Sequence, residues 1–173
     1  MRHLYLSILL LFTMLGACIS NHPPKQNPIG GTISKNCMKV SWQFEGDEIL
    51  FELEAPSTGW LAIGFNETSA LPETYLLMAC IAKGKPKARE FKTISPGDYR
   101  PIVDLGGEAS IKHVEGQESP QKTTIRVKIP QRVNDGFHKA LTKGSKWSLL
   151  LAFSREDDFK HHSMMRTSIS IVL

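Results

Sequence analysis

The stretch Gly59-Trp60-Leu61-Ala62-Ile63-Gly64-Phe65-Asn66 decides how this chain folds. Two glycines bracket a tryptophan and a short apolar run. That suits a buried strand entered through a tight turn and left where another backbone or a ligand comes close. Around it, apolar residues recur with period two. Met38, Val40, Trp42 and Phe44 face one way while Lys39, Ser41 and Gln43 face the other, and Ile49, Phe51 and Leu53 form the next row beyond Gly46-Asp47. Ile125, Val127 and Ile129 alternate with Thr124, Arg126 and Lys128; Ile169, Ile171 and Leu173 alternate with Ser168 and Ser170. Such rows are half-buried antiparallel strands. Residues 75–81 and 147–153 are apolar nearly throughout, as central strands are. Only residues 134–143 look helical. Many strands separated by turn residues predict an all-β sandwich.

At the front, Arg2 and His3 precede an apolar run over residues 4–15 that ends in Leu15-Gly16-Ala17-Cys18. The run is too short for a hydrocarbon layer of ~30 Å. A charged start, a short apolar core and small residues before a cleavage point describe an export signal. The cysteine at that point resembles the lipobox of bacterial lipoproteins. The expectation is a signal peptide over residues 1–17, cleavage before Cys18, and acylation of Cys18. At ~0.8 kcal/mol per buried methylene, several acyl chains anchor the protein to the membrane. Ile19 follows the cysteine where an aspartate would resemble an inner-membrane retention signal. The expected location is the bacterial cell envelope, at the outer membrane if the source is Gram-negative.

Residues 18–33 carry Pro23, Pro24, Pro28, Gly30 and Gly31 without periodicity and read as a lipidated flexible tether. Residues 34–173 fit one domain large enough for its own core. Loss of the signal removes Arg2 and no acid, which moves the formal charge from +4 to +3. That mild balance decides little about partners. Lys83, Lys85, Lys87 and Arg89 alternate across a turn-like Gly84 to Pro86, as a solvated hairpin tip or a surface for an anionic membrane or a redox partner. No basic stripe is interleaved with aromatic residues, so nucleic acid is not an expected partner.

Cys37 and Cys80 remain after Cys18. In an oxidising compartment they can form a disulfide if their strands are neighbours, with Cα atoms within ~7 Å; otherwise they are separate buried thiols. His161 and His162, with Met164, Met165 and Arg166 close by, are the only concentration of soft-ligand chemistry. A divalent metal or copper site would add Asp157 and Asp158. It needs a turn, because adjacent residues of extended chain point to opposite faces. A bland alternative has the histidines and Arg166 fixing the last hairpin by hydrogen bonds. His113 and His138 are isolated and read as surface residues. Glu52 and Glu54 lie on a strand's polar side. No nucleophile elbow, phosphate loop, zinc-protease helix or dinucleotide fingerprint is present, and no catalytic activity is expected.

The order of these parts can now be compared with a family. A hydrophobic strand pair leads to Gly-Trp-Leu-Ala-Ile-Gly-Phe, then to Asp98-Tyr99-Arg100-Pro101, a Thr/Ile/Arg/Val strand ending at Pro130, and His-His-x-x-x-Arg before the last strand. This order resembles the DOMON domain, named for the N-terminal region of dopamine β-monooxygenase, over nearly all of residues 37–173. The resemblance implies an immunoglobulin-like antiparallel β-sandwich that binds b-type haem in some members and is suggested to bind sugars in others. Haem-binding relatives use a methionine after the Gly-Phe strand and a histidine in the last hairpin. The histidine falls on His162, four residues before Arg166, with His161 as the fallback. The methionine position falls on Leu71, which has no lone pair for iron, and Thr74-Tyr75 replaces the small-residue and aspartate pattern beyond it. Met78, Met164 and Met165 are the substitutes at hand.

Taken with the lipobox at Cys18 and the lack of catalytic motifs, the resemblance implies a lipid-anchored, non-catalytic ligand-binding domain. Its leading ligand is haem b, used for electron transfer or sensing with a redox partner. A sugar or other small ligand is the alternative.

Overall fold

The computed structural model describes residues 29–173. The expected signal peptide, Cys18 and most of the tether lie outside the described residues. Among the described residues, eleven strands build two antiparallel sheets, as the period-two rows predict. The first sheet contains β1 (Gly30–Lys35), β2 (Met38–Glu45), β3 (Glu48–Ala55), β8 (His113–Ser119) and β9 (Lys122–Pro130), in the order β1-β2-β3-β9-β8. The second contains β4 (Leu61–Asn66), β5 (Tyr75–Ala82), β6 (Lys85–Ser95), β7 (Asp98–Pro101), β10 (Lys146–Phe153) and β11 (Met165–Val172), in the order β11-β10-β4-β5-β6-β7.

Alternate side chains from the two inner faces make the main core. Trp42, Phe51 and Val127 are aligned across β2, β3 and β9. Opposite them, Phe65 packs 5.4 Å from Phe51 and 6.3 Å from Tyr75, ring centre to ring centre. The outer face of the five-stranded sheet is polar, and three of its cations, though not Lys39, are paired with carboxylates. Lys122 lies 2.8 Å from Glu54, Arg126 2.5 Å from Glu52, and Lys128 2.7 Å from Glu45. Lys85, Lys87 and Arg89 share the exposed outer face of β6, as their alternation predicts, while Lys83 sits in the β5–β6 turn.

Four expectations need correction. The tether ends sooner than residue 33, because β1 starts at Gly30 and pairs along its length with β2. Gly31 has a packing reason: a Cβ there would lie 2.3 Å from the Trp42 ring. Residues 134–143 form no helix. The Asp135 carboxylate accepts the backbone N–H groups of Phe137 at 2.9 Å and His138 at 3.2 Å, and Gly136 takes φ +75, so the chain turns locally instead of continuing a helical ladder.

Cys37 and Cys80 are both free. Cys37 occupies the exposed β1–β2 turn of one sheet, whereas Cys80 is buried on the outer face of the other, with the sandwich between them. Burial pushes the Cys80 thiol up to about 11. His138, finally, is not a surface residue. Its side chain is 2% exposed, with Nδ1 2.8 Å from Asp135 Oδ2 and Nε2 3.3 Å from Glu90 Oε1. The second contact is an ion pair whose angles fall short of a hydrogen bond.

Candidate ligand-binding site

The six-stranded sheet has a second apolar cluster on its outer face, distinct from the inter-sheet core. It includes Trp60, Ala62, Met78, Phe91, Ala152 and Phe159. Its origin is legible in the strands. Along β4, the large residues Leu61, Ile63 and Phe65 enter the main core, which leaves Ala62 and Gly64 pointing outward. In register, one cross-strand row runs Arg166, Ala152, Ala62, Met78, Arg89, and the next places Leu150, Gly64 and Leu76 side by side. Small residues at the middle of both rows leave a depression between larger neighbours.

Residues 154–164 fold back over this depression. The Trp60 backbone N–H donates to Glu156 O at 3.0 Å, and the Ser154 backbone N–H donates to Trp60 O at 2.9 Å. Gly59 permits the approach, since a Cβ there would lie 2.3 Å from the Glu156 backbone nitrogen. The close backbone passage expected at this motif is therefore at its first glycine. Phe159 anchors the covering segment edge-on to Phe91, with ring centres 5.9 Å apart, and its carbonyl accepts from the Tyr99 hydroxyl. Burying a phenyl ring of this kind stabilises by about 1.5–3 kcal/mol.

What remains between floor and cover is a pocket of about 130 Å³. Ala62, Leu76, Met78, Leu150 and Ala152 form its floor, with Trp60, Leu71 and Tyr99 as walls. Its rim carries Lys160, His161, His162 and Arg166. The Trp60 indole N–H is buried without an acceptor. Burial, then the charge of Asp158, raises the Tyr99 phenol above its ordinary range.

His161, His162 and Leu71 are thus brought to one pocket, from loops far apart in sequence. Of the three substitute methionines, Met78 lines the pocket, while Met165 packs on the main core and Met164 is exposed. Among the described residues no group of three or more His, Cys, Asp or Glu side chains is placed to hold an ion, so Asp157 and Asp158 do not join the two histidines in such a group. Asp158 instead accepts the Lys160 backbone N–H at 3.0 Å. Ala62, Ala152, Trp60 and Tyr99 line the pocket and were missed as site residues. For the two alanines the signal was the alternation of large and small side chains inside runs that are apolar throughout.

The family model of the DOMON domain matches residues 34–154. A Drosophila melanogaster protein, MOXD1 homolog 2, is 22% identical over 119 residues, 69% of this chain but only 15% of that protein's length. Among solved structures, the cytochrome b domain of pyranose dehydrogenase from Coprinopsis cinerea superposes with a TM-score of 0.62 at 10% identity, over 84% of this chain and 88% of that one. The cytochrome domain of Myriococcum thermophilum cellobiose dehydrogenase gives 0.53 at 10% identity, over 86% and 90%. At these identities the likeness establishes the sandwich fold.

Whether haem suits this pocket is a question of donors and room. His162 offers an imidazole at the rim, Leu71 offers nothing, and the Met78 side chain is packed into the floor at 1% exposure. Room is short as well. Sites for drug-sized ligands start at ~300 Å³, and with residues 154–164 folded over it this half-open pocket holds about 130 Å³. The residues as arranged do not fit a macrocycle.

Proposed function

This chain belongs to the DOMON domain family, and from that premise we propose that it is a non-catalytic ligand-binding domain, held at the cell envelope through Cys18, whose ligand is a compact small molecule in the outer-face pocket. The observation that carries this reading is the pocket itself. It has an apolar floor, aromatic walls and a few polar groups at the mouth, the usual make-up of a small-ligand site. Its volume of about 130 Å³ is close to that of an engineered ~150 Å³ protein cavity that takes up benzene.

Ligand-observed NMR with benzene-sized fragments tests it on the purified chain. Binding that is lost in both Ala62→Leu and Ala152→Leu, which fill the floor, supports the reading. Failure of every such fragment to bind, or binding that survives both substitutions, overturns it.

Haem b with His162 as its ligand, serving electron transfer, is a second reading. One observation favours it: Leu71 and His162, the two positions that the family pattern pairs, line the same pocket. It requires the covering segment anchored by Phe159 to lift away.

A further inference from the structure

The pocket rim differs in its charges from most of the opposite outer face. On the five-stranded sheet, Lys122, Arg126 and Lys128 each have a carboxylate partner, and Lys39 does not. At the pocket rim, among the described residues, neither Lys160 nor Arg166 has one within 4.0 Å. Among the described residues no acidic side chain lines this pocket. Asp158, whose charge reaches the Tyr99 wall, is turned to the Lys160 backbone and lines the neighbouring depression beside Lys87 and Arg89.

The charged groups at the rim are also one-sided in hydrogen bonding. The Lys160 ammonium and the Arg166 guanidinium, like the Trp60 indole N–H, donate and cannot accept, whereas the neutral lining groups Thr93, Tyr99, His161, His162 and Ser163 can do both. Arg166 stands in register with Ala152 and one strand further from Ala62. At ~4.8 Å per strand, its Cα is within about 10 Å of the middle of the floor, which an arginine side chain reaches.

From this asymmetry we infer that the pocket selects a small amphiphilic anion: a monocarboxylate with an apolar body of benzene size. The body rests on Ala62, Met78 and Leu150, and the carboxylate meets Arg166 and Lys160 at the rim. Arginine engages a carboxylate through two parallel N–H donors, which adds direction to the charge. This names a ligand class for the site proposed above and rests on that reading.

Isothermal titration of the purified chain with benzoate, benzyl alcohol and benzylamine tests the inference. Charge-assisted hydrogen bonds of this kind favour benzoate over the neutral alcohol by roughly tenfold or more, with benzylamine weaker still. Arg166→Gln and Lys160→Gln each weaken benzoate several-fold, while Lys128→Gln on the opposite face changes nothing. Equal affinity for benzoate and benzyl alcohol would overturn the anion selectivity and leave the pocket standing as the site. Benzoate binding indifferent to both rim substitutions would remove it from this rim. No binding of any of the three would overturn the inference and the small-ligand reading together.

Discussion

Leu71, from the β4–β5 loop, and His162, from the β10–β11 loop, line the same pocket on the outer face of the six-stranded sheet. The pair separates two explanations for the failure of this site to suit haem, a missing donor and missing room. Restoring a thioether at position 71 repairs only the first. Leu71→Met is therefore expected to leave haem uptake unchanged, as read from the visible absorption of the purified variant after haemin is added. A sharp low-spin spectrum appearing in Leu71→Met alone would show instead that the donor was limiting.

Gly59 sits under the backbone of residues 155–156, where any Cβ would meet main chain and no side chain can move aside. Gly59→Ala is expected to destabilise the fold by about 1–3 kcal/mol, the usual range for overpacking. It should also speed amide exchange in residues 154–164. Urea unfolding and exchange-detected NMR provide the check; an unchanged exchange pattern would mean that Gly59 does not hold the covering segment in place.

His138 lies between Asp135 and Glu90, and the Glu90 carboxylate also accepts from the Tyr75 hydroxyl at 2.6 Å and the Ser110 backbone N–H at 2.8 Å. This buried group ties the loops before β8 and before β10 to β6. Truncating one member of a buried charged set leaves its partners uncompensated and costs about 3–5 kcal/mol. His138→Ala is expected to lose that much in urea unfolding. A loss below 1 kcal/mol would show the imidazole to be dispensable.

The same group sets a pH dependence. Burial disfavours the His138 imidazolium, but Glu90 and Asp135 outweigh it and raise the pKa above 6.5. Its stabilisation is complete below about 6.5 and is lost as pH rises through the higher folded value. Burial disfavours the Glu90 carboxylate too, yet contacts with His138, Ser110 and Tyr75 lower its pKa from 4.5. For Asp135, burial is outweighed by His138 and by backbone N–H donors, which take it well below 3.8. Those two contributions are complete above about 4.5 and fade as pH falls through the folded values. Stability should form a plateau between about pH 4.5 and 6.5, and His138→Gln should flatten its alkaline shoulder. An unaltered shoulder in that variant would refute the assignment.

The strands were readable because each sheet has a main-core face, and period two survives wherever the other face is polar. Where both faces are apolar, as in β4, β5 and β10, the run shows burial but hides the division of labour, so Ala62 and Ala152 passed as ordinary core. The motif His162 to Arg166 led to the pocket. Its cover did not emerge, because it depends on the backbone of residues 155–156 passing over Gly59. Gly30 and Gly31 looked like a linker for a similar reason: only the Trp42 ring, ten or so residues on, explains why a strand begins there. His138 looked isolated because one of its partners, Glu90, is remote in sequence.

The most direct test of the central claim is a haemin titration of the purified chain, followed at the Soret band in the native sequence and in His162→Ala. A pocket built for a compact ligand predicts no stoichiometric Soret band in either protein, while both remain folded by circular dichroism. A one-to-one Soret band in the native chain that disappears in His162→Ala would contradict the account and establish haem as the ligand.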